Sequence, residues 1–306
     1  MTERGLRLPA RPYLAAALLV GAAIIGPVPA RATAAPSASP QLQAQVRISA
    51  HRGGAGQWPQ NSLLAFKNSL AAGYDEIEGD TYITADGYGV IYHDTAISAI
   101  RCTGAFAGRN IWTLTLRQIR TIRCEGQPIP TEGQLLSLVA TSSNKHTVLR
   151  LETKSPRGQS TVSARSWAQS VGAQVVRAGL AGRAIMQDFN WAGIAGYHTA
   201  SSRLRVSALI GKPTMADVNR AAALGAYDVS YNAPFETKSM NAYIAGKRMV
   251  PTVWGIDGVP PKAGTPTEQV VDAVAIAFRT AVCTGARVVI TNYPGLAVKA
   301  RSSTTC

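Results

Sequence analysis

The stretch AHRGGAGQWPQNS, residues 50–62, places His51 and Arg52 ahead of Gly53, Gly54 and Gly56, directly after a short apolar run. Imidazole exchanges protons near neutral pH, and guanidinium binds oxyanions. Glycine lets backbone N–H groups approach an anion closely. Further along, Glu78 and Asp80 stand two apart in EIEGDTYI, Glu152 and Lys154 two apart in LRLETK, and His93 and Asp94 end VIYHD. Three carboxylates gathered at one spot need a cation to neutralise them. All-oxygen donors select a hard ion, Ca²⁺ or Mg²⁺, with Mn²⁺ also admissible. Two histidines at the same spot suit a general base and a general acid. Arg52 and Lys154 add positive charge of the kind that phosphate recognition requires.

These residues meet only if the elements that carry them bring them to one place. Short β-like runs alternate with longer segments of helical spacing: VRISA from 46, EIEGDTYI from 76, TVLRLE from 147, AIMQDF from 184, RVSALI from 205, YDVSY from 227, MVPTVW from 249 and RVVITN from 287. Alternating βα units imply a parallel sheet, and eight of them predict a (β/α)8 TIM barrel. No Gly-x-Gly-x-x-Gly follows the first strand, so a dinucleotide fold has no support. Several helical segments end in glycine, as helix C-termini tend to. Between the second and third strands, TADGYGVIYHD and the loop after it form an insertion of roughly 50 residues, long enough to carry function. Active sites of such barrels lie at the C-terminal strand ends. That rim collects His51, Arg52, Glu78, Asp80, Glu152, Lys154, Gln187, Phe189, Trp254 and Asn292, with His93 from the insertion. Glu78 and Asp80 share one strand face because strand side chains alternate. Phe189 and Trp254 are expected to line the pocket. His146 enters the third strand from the opposite rim, and His198 lies in a helical segment; neither is expected at the site.

The ends of the chain and its charge bear on location. Arg4, Arg7 and Arg11 precede an apolar run from Tyr13 to Ile25 and an Ala32-Thr33-Ala34 tripeptide, the pattern of a signal peptide over residues 1–34. The apolar run falls short of the roughly 20 residues that span a bilayer, so a mature chain without a transmembrane segment, secreted to the exterior, is expected. Residues 35–45 read as a disordered lead-in and 46–306 as the barrel. Four cysteines in an exported chain read as two disulfides. Of the three pairings, proximity favours Cys102 with Cys124 and Cys283 with Cys306. No Cys-x-x-Cys spacing supports a metal cluster. The formal charge is +14, which favours phosphates, anionic lipid surfaces or cell-wall polymers. No compact basic run with interleaved aromatics points to nucleic acid.

The segments HRGG…PQNSLLAF, EIEGD…ADGYGVIYHD, IPTEGQLL and LRLETK together resemble the glycerophosphodiester phosphodiesterases, from about Ile48 to Pro294. The resemblance implies a barrel enzyme that binds Ca²⁺ or Mg²⁺ through Glu78, Asp80 and Glu152. His51 and His93 would be the acid/base pair, and Arg52 and Lys154 would stand near the phosphate. Its substrate would be a small phosphodiester, cleaved to sn-glycerol 3-phosphate and an alcohol. Two positions depart from the family pattern: Gln60 stands where the family has Glu, and Asn292 where it has Asp. Two other readings accompany this one. The first is a phospholipase D-like enzyme on lysophospholipid or sphingolipid; the second is a phosphate- or lipid-binding barrel without catalysis.

Overall fold

The computed structural model describes residues 46–154, 162–257 and 266–306. The expected signal peptide and lead-in lie outside the described residues. Strands run in the order β1 (Arg47–Ala50), β2 (Glu76–Ile83), β3 (Gly89–Ile91), β4 (Cys102–Thr103), β5 (Arg123–Cys124), β6 (Gln127–Pro128), β7 (Val148–Thr153), β8 (Ala184–Asp188), β9 (Arg205–Ile210), β10 (Asp228–Asn232), β11 (Val250–Trp254) and β12 (Val288–Thr291). The helices are α1 (Leu63–Ala72), α2 (Leu116–Ile119), α3 (Glu132–Thr141), α4 (Ala164–Arg177), α5 (Ala192–Ala200), α6 (Met215–Ala223), α7 (Lys238–Gly246), α8 (Glu268–Thr284) and α9 (Pro294–Ser303).

β1, β2 and β7–β12 pair in parallel around a closed ring, because β1 bonds both β12 and β2. The eight strands fall where the alternating pattern puts them, to within one residue at every end. Side-chain oxygens start the helices between them. Ser62 accepts from the Ala65 amide at the start of α1, and Thr131 and Gln134 form a capping box at α3, as Thr214 and Asp217 do at α6. Among the described residues no helix is long and apolar enough to cross a membrane.

The insertion after β2 folds back as β3, antiparallel to β2, and continues through the small sheet β4–β5–β6 and α2. It has its own apolar core, with Ile97, Ile111, Leu114, Ile119 and Ile122 buried together. Cys102 and Cys124 form a disulfide across β4 and β5, and Cys283 and Cys306 form a second between α8 and the chain's last turn.

The barrel interior is not wholly apolar. Arg150 on β7 is fully buried; its Nε donates to Glu76 and its Nη2 to Asp228, both at 2.8 Å. Arg47 also pairs with Glu76, at 2.9 Å. Two arginines and two acids therefore balance below the rim formed by the C-terminal strand ends. Gly79, between the two acids of β2, faces outward, where a Cβ would stand 2.9 Å from Phe66 of α1. Only glycine lets α1 pack close enough to hold β2 at that point.

One buried acid stands apart from these pairs. Glu132, the first residue of α3, accepts from the Thr81 hydroxyl at 3.2 Å. Burial pushes its carboxyl up to about 7, outweighing that hydrogen bond. The folded chain thus keeps Glu132 neutral while the unfolded chain ionises it near pH 4.5. The stability associated with the neutral group is complete below about 4.5 and is lost as the pH rises through 7. Glu132→Gln keeps an acceptor for Thr81 and removes that loss. Urea unfolding of the two proteins is expected to give equal midpoints at pH 4 and a more stable variant at pH 8, by about 3 kcal/mol at most.

Candidate active site

His51 follows β1 in a single 3₁₀ turn, and Arg52 takes a left-handed backbone, φ 52°. His51 Nδ1 lies 2.6 Å from Asn292 Oδ1. An amide oxygen only accepts, so Nδ1 carries the proton and Nε2 is left with its lone pair. Burial and the Arg52 charge push the His51 pKa down to about 3, so the ring is neutral at physiological pH. Asn292 is in turn held from behind: the carboxylate of Asp257 accepts from the Asn292 amide at 2.9 Å and from the Thr291 hydroxyl.

Glu78, Asp80 and Glu152 are buried, and one oxygen of each lies within 4.8 Å of the others. Register explains the meeting, since Asp80 pairs with Glu152 and Glu152 with Gln187 across β2, β7 and β8. Each acid has a fixed neighbour. Glu78 accepts from the Arg52 backbone amide at 2.8 Å and from Gln187 Nε2 at 3.0 Å. Asp80 accepts from Asn61 at 2.8 Å, and Lys154 Nζ stands 3.0 Å from Asp80 and 2.6 Å from Glu152. Burial and the Asp80 charge push Glu78 up to about 8. Burial pushes Glu152 up to about 7 against the pull of Lys154. Asp80 is the exception: burial opposes ionisation, but Lys154, His93 and Arg52 hold its carboxyl well below the usual range. One ammonium ion does not let three buried carboxylates ionise together. A divalent cation would, and hard oxygen donors fit Ca²⁺ or Mg²⁺. Gln187→Ala, which frees Glu78, is expected to weaken that cation's affinity by about 10–100-fold, measured by isothermal titration calorimetry.

His93 comes from the end of the β3 segment and is half-buried. Its Nδ1 lies 2.7 Å from Asp94, which is also clamped by Arg101. The hydrogen bond from His93 holds the Asp94 carboxyl below its ordinary range. The two histidines face one cavity of about 170 Å³ lined by Arg52, Glu152, Lys154, Phe189 and Trp254. Phe189 meets Trp254 edge to face, ring centroids 6.1 Å apart. A wider groove of about 760 Å³ opens beside it past His93 and Phe189, walled by Tyr82, Asp94, Asp188 and Asn190.

One expectation changes. Two of the three glycine amides are not offered to an anion: the Gly54 N–H donates to the His51 carbonyl and the Gly56 N–H to the Asn292 carbonyl. Gly56 is required because a Cβ there would overlap the Tyr293 ring at 2.2 Å. Lys154 lies across Asp80 and Glu152 and also lines the cavity. The two departures from the family pattern keep their hydrogen bonds, since Gln60 accepts from Arg52 at 2.6 Å and Asn292 from His51. His146 is exposed at the opposite rim, and His198 lies on α5 away from the site. Asn61, Asp257 and Arg101 were not among the expected site residues. Their roles depend on partners 19, 35 and 7 residues away, respectively, which no local motif reveals.

Comparison with known proteins agrees with this geometry. The sequence matches the glycerophosphoryl diester phosphodiesterase family over residues 51–294. A glycerophosphodiester phosphodiesterase from Caldanaerobacter subterraneus subsp. tengcongensis is 28% identical over 116 residues, 35% of this chain and 45% of that protein. The chain thus spans less than half the length of this curated relative. Among solved structures, a glycerophosphodiester phosphodiesterase from Parabacteroides distasonis shares 21% identity with TM-score 0.65, covering 85% of this chain and 98% of that one. A phosphodiesterase from Oleispira antarctica, solved with the product sn-glycerol-3-phosphate, shares 18% identity with TM-score 0.65, covering 84% and 96%. At these identities the solved structures show a shared fold. With the family match spanning the barrel from His51 to Pro294, the chain belongs to the glycerophosphoryl diester phosphodiesterase family.

Proposed function

We propose that this protein is an exported, divalent-cation-dependent phosphodiesterase that hydrolyses glycerophosphodiesters to sn-glycerol 3-phosphate and an alcohol. The observation that carries the reading is the meeting of three buried carboxylates and two histidines at one cavity. Glu78, Asp80 and Glu152 would hold the cation, which when bound supplies Lewis-acid stabilisation of phosphoryl oxygens. His51, neutral with Nε2 free, is suited to take the proton from the glycerol hydroxyl next to the phosphate. That hydroxyl then attacks phosphorus, an internal step that avoids the cost of bringing in a second reactant. His93 would give a proton to the departing alcohol. The Asp94 carboxylate at Nδ1 orients the ring and stabilises the charge that an imidazolium carries. Water would open the cyclic product with the two roles reversed. Arg52, beside the cavity, faces the phosphate; Phe189 and Trp254 form a wall for the organic part of the substrate.

The test is release of sn-glycerol 3-phosphate from glycerophosphocholine with Ca²⁺, Mg²⁺ or chelator. Cation-dependent release is expected; no release with either ion refutes the reading. A second reading, a phospholipase D-like enzyme on lysophospholipid, draws on the wide groove beside His93, which has room for a larger substrate. Lysophosphatidylcholine in the same assay separates the two. Export is tested by the N-terminus of the secreted protein, expected at Ala35.

A further inference from the structure

Arginines gather at one end of this barrel. Five of the eight barrel strands begin at, or within two residues after, an arginine: Arg47, Arg183, Arg205, Arg248 and Arg287. Strand starts lie at the rim opposite the catalytic one, so these side chains share the basal face. The acids there are already engaged. Asp75 pairs with Arg301, and Glu76 and Asp228 are buried against Arg150. Among the described residues, Arg203, Arg248 and Arg287 are exposed with no carboxylate within 4.0 Å. Tyr227 braces two of the others, its ring 6.0 Å from the Arg47 guanidinium and 5.1 Å from that of Arg205.

This face also has a notch. A cavity of about 300 Å³ lies between the end of α8 and α9, lined by Arg287 and Arg301 and closed on one side by the Cys283–Cys306 disulfide. It lies at the opposite end of the barrel from both histidines, and the proposed reaction makes no use of it.

We propose that the basal face is a second binding surface, for a linear phosphate polyanion laid across the arginines with one phosphate seated in the notch at Arg287. Its shape and composition favour a polymer over a bilayer. A bilayer surface does not enter a notch, whereas one unit of a flexible chain does. Membrane docking is also aided by exposed apolar side chains. Among the described residues the exposed large apolar side chains include Phe189, Met215 and Phe235 after strand ends or at helix starts, Tyr88 and Ile100 in the insertion and Ile276 in the middle of α8, and none is at the start of a barrel strand. Polymer bound at the base leaves the catalytic mouth open to small substrates.

The experiment measures binding of residues 35–306 to long-chain inorganic polyphosphate by fluorescence anisotropy over a salt series. Lys247, exposed between α7 and Arg248, belongs to the same face. The variant Arg203→Glu/Lys247→Glu/Arg287→Glu is set beside Arg109→Glu/Arg117→Glu/Arg120→Glu, three exposed residues of the insertion, which carries the same change of net charge. The basal triple variant is expected to weaken binding by about tenfold or more, the insertion control by less than about threefold. Both should keep wild-type melting temperatures and wild-type turnover of glycerophosphocholine. Arg203→Gln/Arg287→Gln replaces the basal triple should that one misfold. Equal weakening by both triples would overturn the proposal in favour of net charge alone. So would binding to vesicles of anionic lipid without binding to polyphosphate, or no binding to either.

Discussion

Replacing His51 with alanine is expected to lower kcat/KM for glycerophosphocholine by roughly 10²–10⁴-fold, with the fold and cation binding unchanged. The size of the effect follows from its setting. His51 Nδ1 is tied to Asn292 and its Nε2 is free, and burial with the Arg52 charge keeps the ring neutral at physiological pH. The other imidazole at the cavity, His93, is engaged at Nδ1 by Asp94. The companion variant Asn292→Asp tests the assignment by pH. A carboxylate in place of the amide raises the His51 pKa. The acid limb of the kcat/KM profile should therefore move to higher pH, while the alkaline limb stays. Loss of activity with an unmoved acid limb would remove His51 from the role of base. Circular dichroism and calorimetric cation titration of His51→Ala confirm that the loss is chemical.

The second large effect concerns stability. Arg150→Leu removes the buried cation that faces both Glu76 and Asp228, each 2.8 Å away. It leaves Asp228 buried without its partner and Glu76 with Arg47 alone. Breaking a buried pair in this way costs about 3–5 kcal/mol. Neutralising the acids as well, in Arg150→Leu/Glu76→Gln/Asp228→Asn, should recover most of the loss, because no uncompensated charge then remains. Urea unfolding monitored by tryptophan fluorescence measures both. If the triple variant is no more stable than the single, the loss comes from the arginine's packing and the charge argument fails. Glu76 lies on the same strand as Glu78 and Asp80, so the ion-pair layer also holds β2 in place below the carboxylate cluster.

The two predictions draw on different kinds of information. The barrel was legible in the chain because eight β-like runs alternate with helical spacing, a pattern set by the local periods of the two structures. The site was legible where its residues sit on strands. Glu-Gly-Asp on β2 and Glu-Thr-Lys at the end of β7 show in the sequence itself which side chains share a face. Eight parallel strands then place those faces at one rim. The structure brings His51, His93, Glu78 and Glu152 to one cavity, with Asp80 clustered behind them.

What tertiary structure alone decided lies in pairings across the barrel. Arg150 meets Glu76 and Asp228 from 74 and 78 residues away, and His51 meets Asn292 from 241. Only strand order and register fix such contacts, and one sequence without them reads Arg150 as another residue of an apolar strand. The glycines after His51 misled for a related reason. Their spacing suits an anion loop, yet the Gly54 and Gly56 amides bond to the His51 and Asn292 carbonyls, and the space a side chain would need is taken by Trp58 at Gly54 and by Tyr293 at Gly56. The contact between Lys154 and Asp80 is likewise absent from the sequence, because Asp80 reaches it from the adjoining strand. Local period set the elements and the facing side chains. Long-range closure of the ring set which charges compensate one another, because in a low-dielectric interior each must find its partner wherever the chain has placed it.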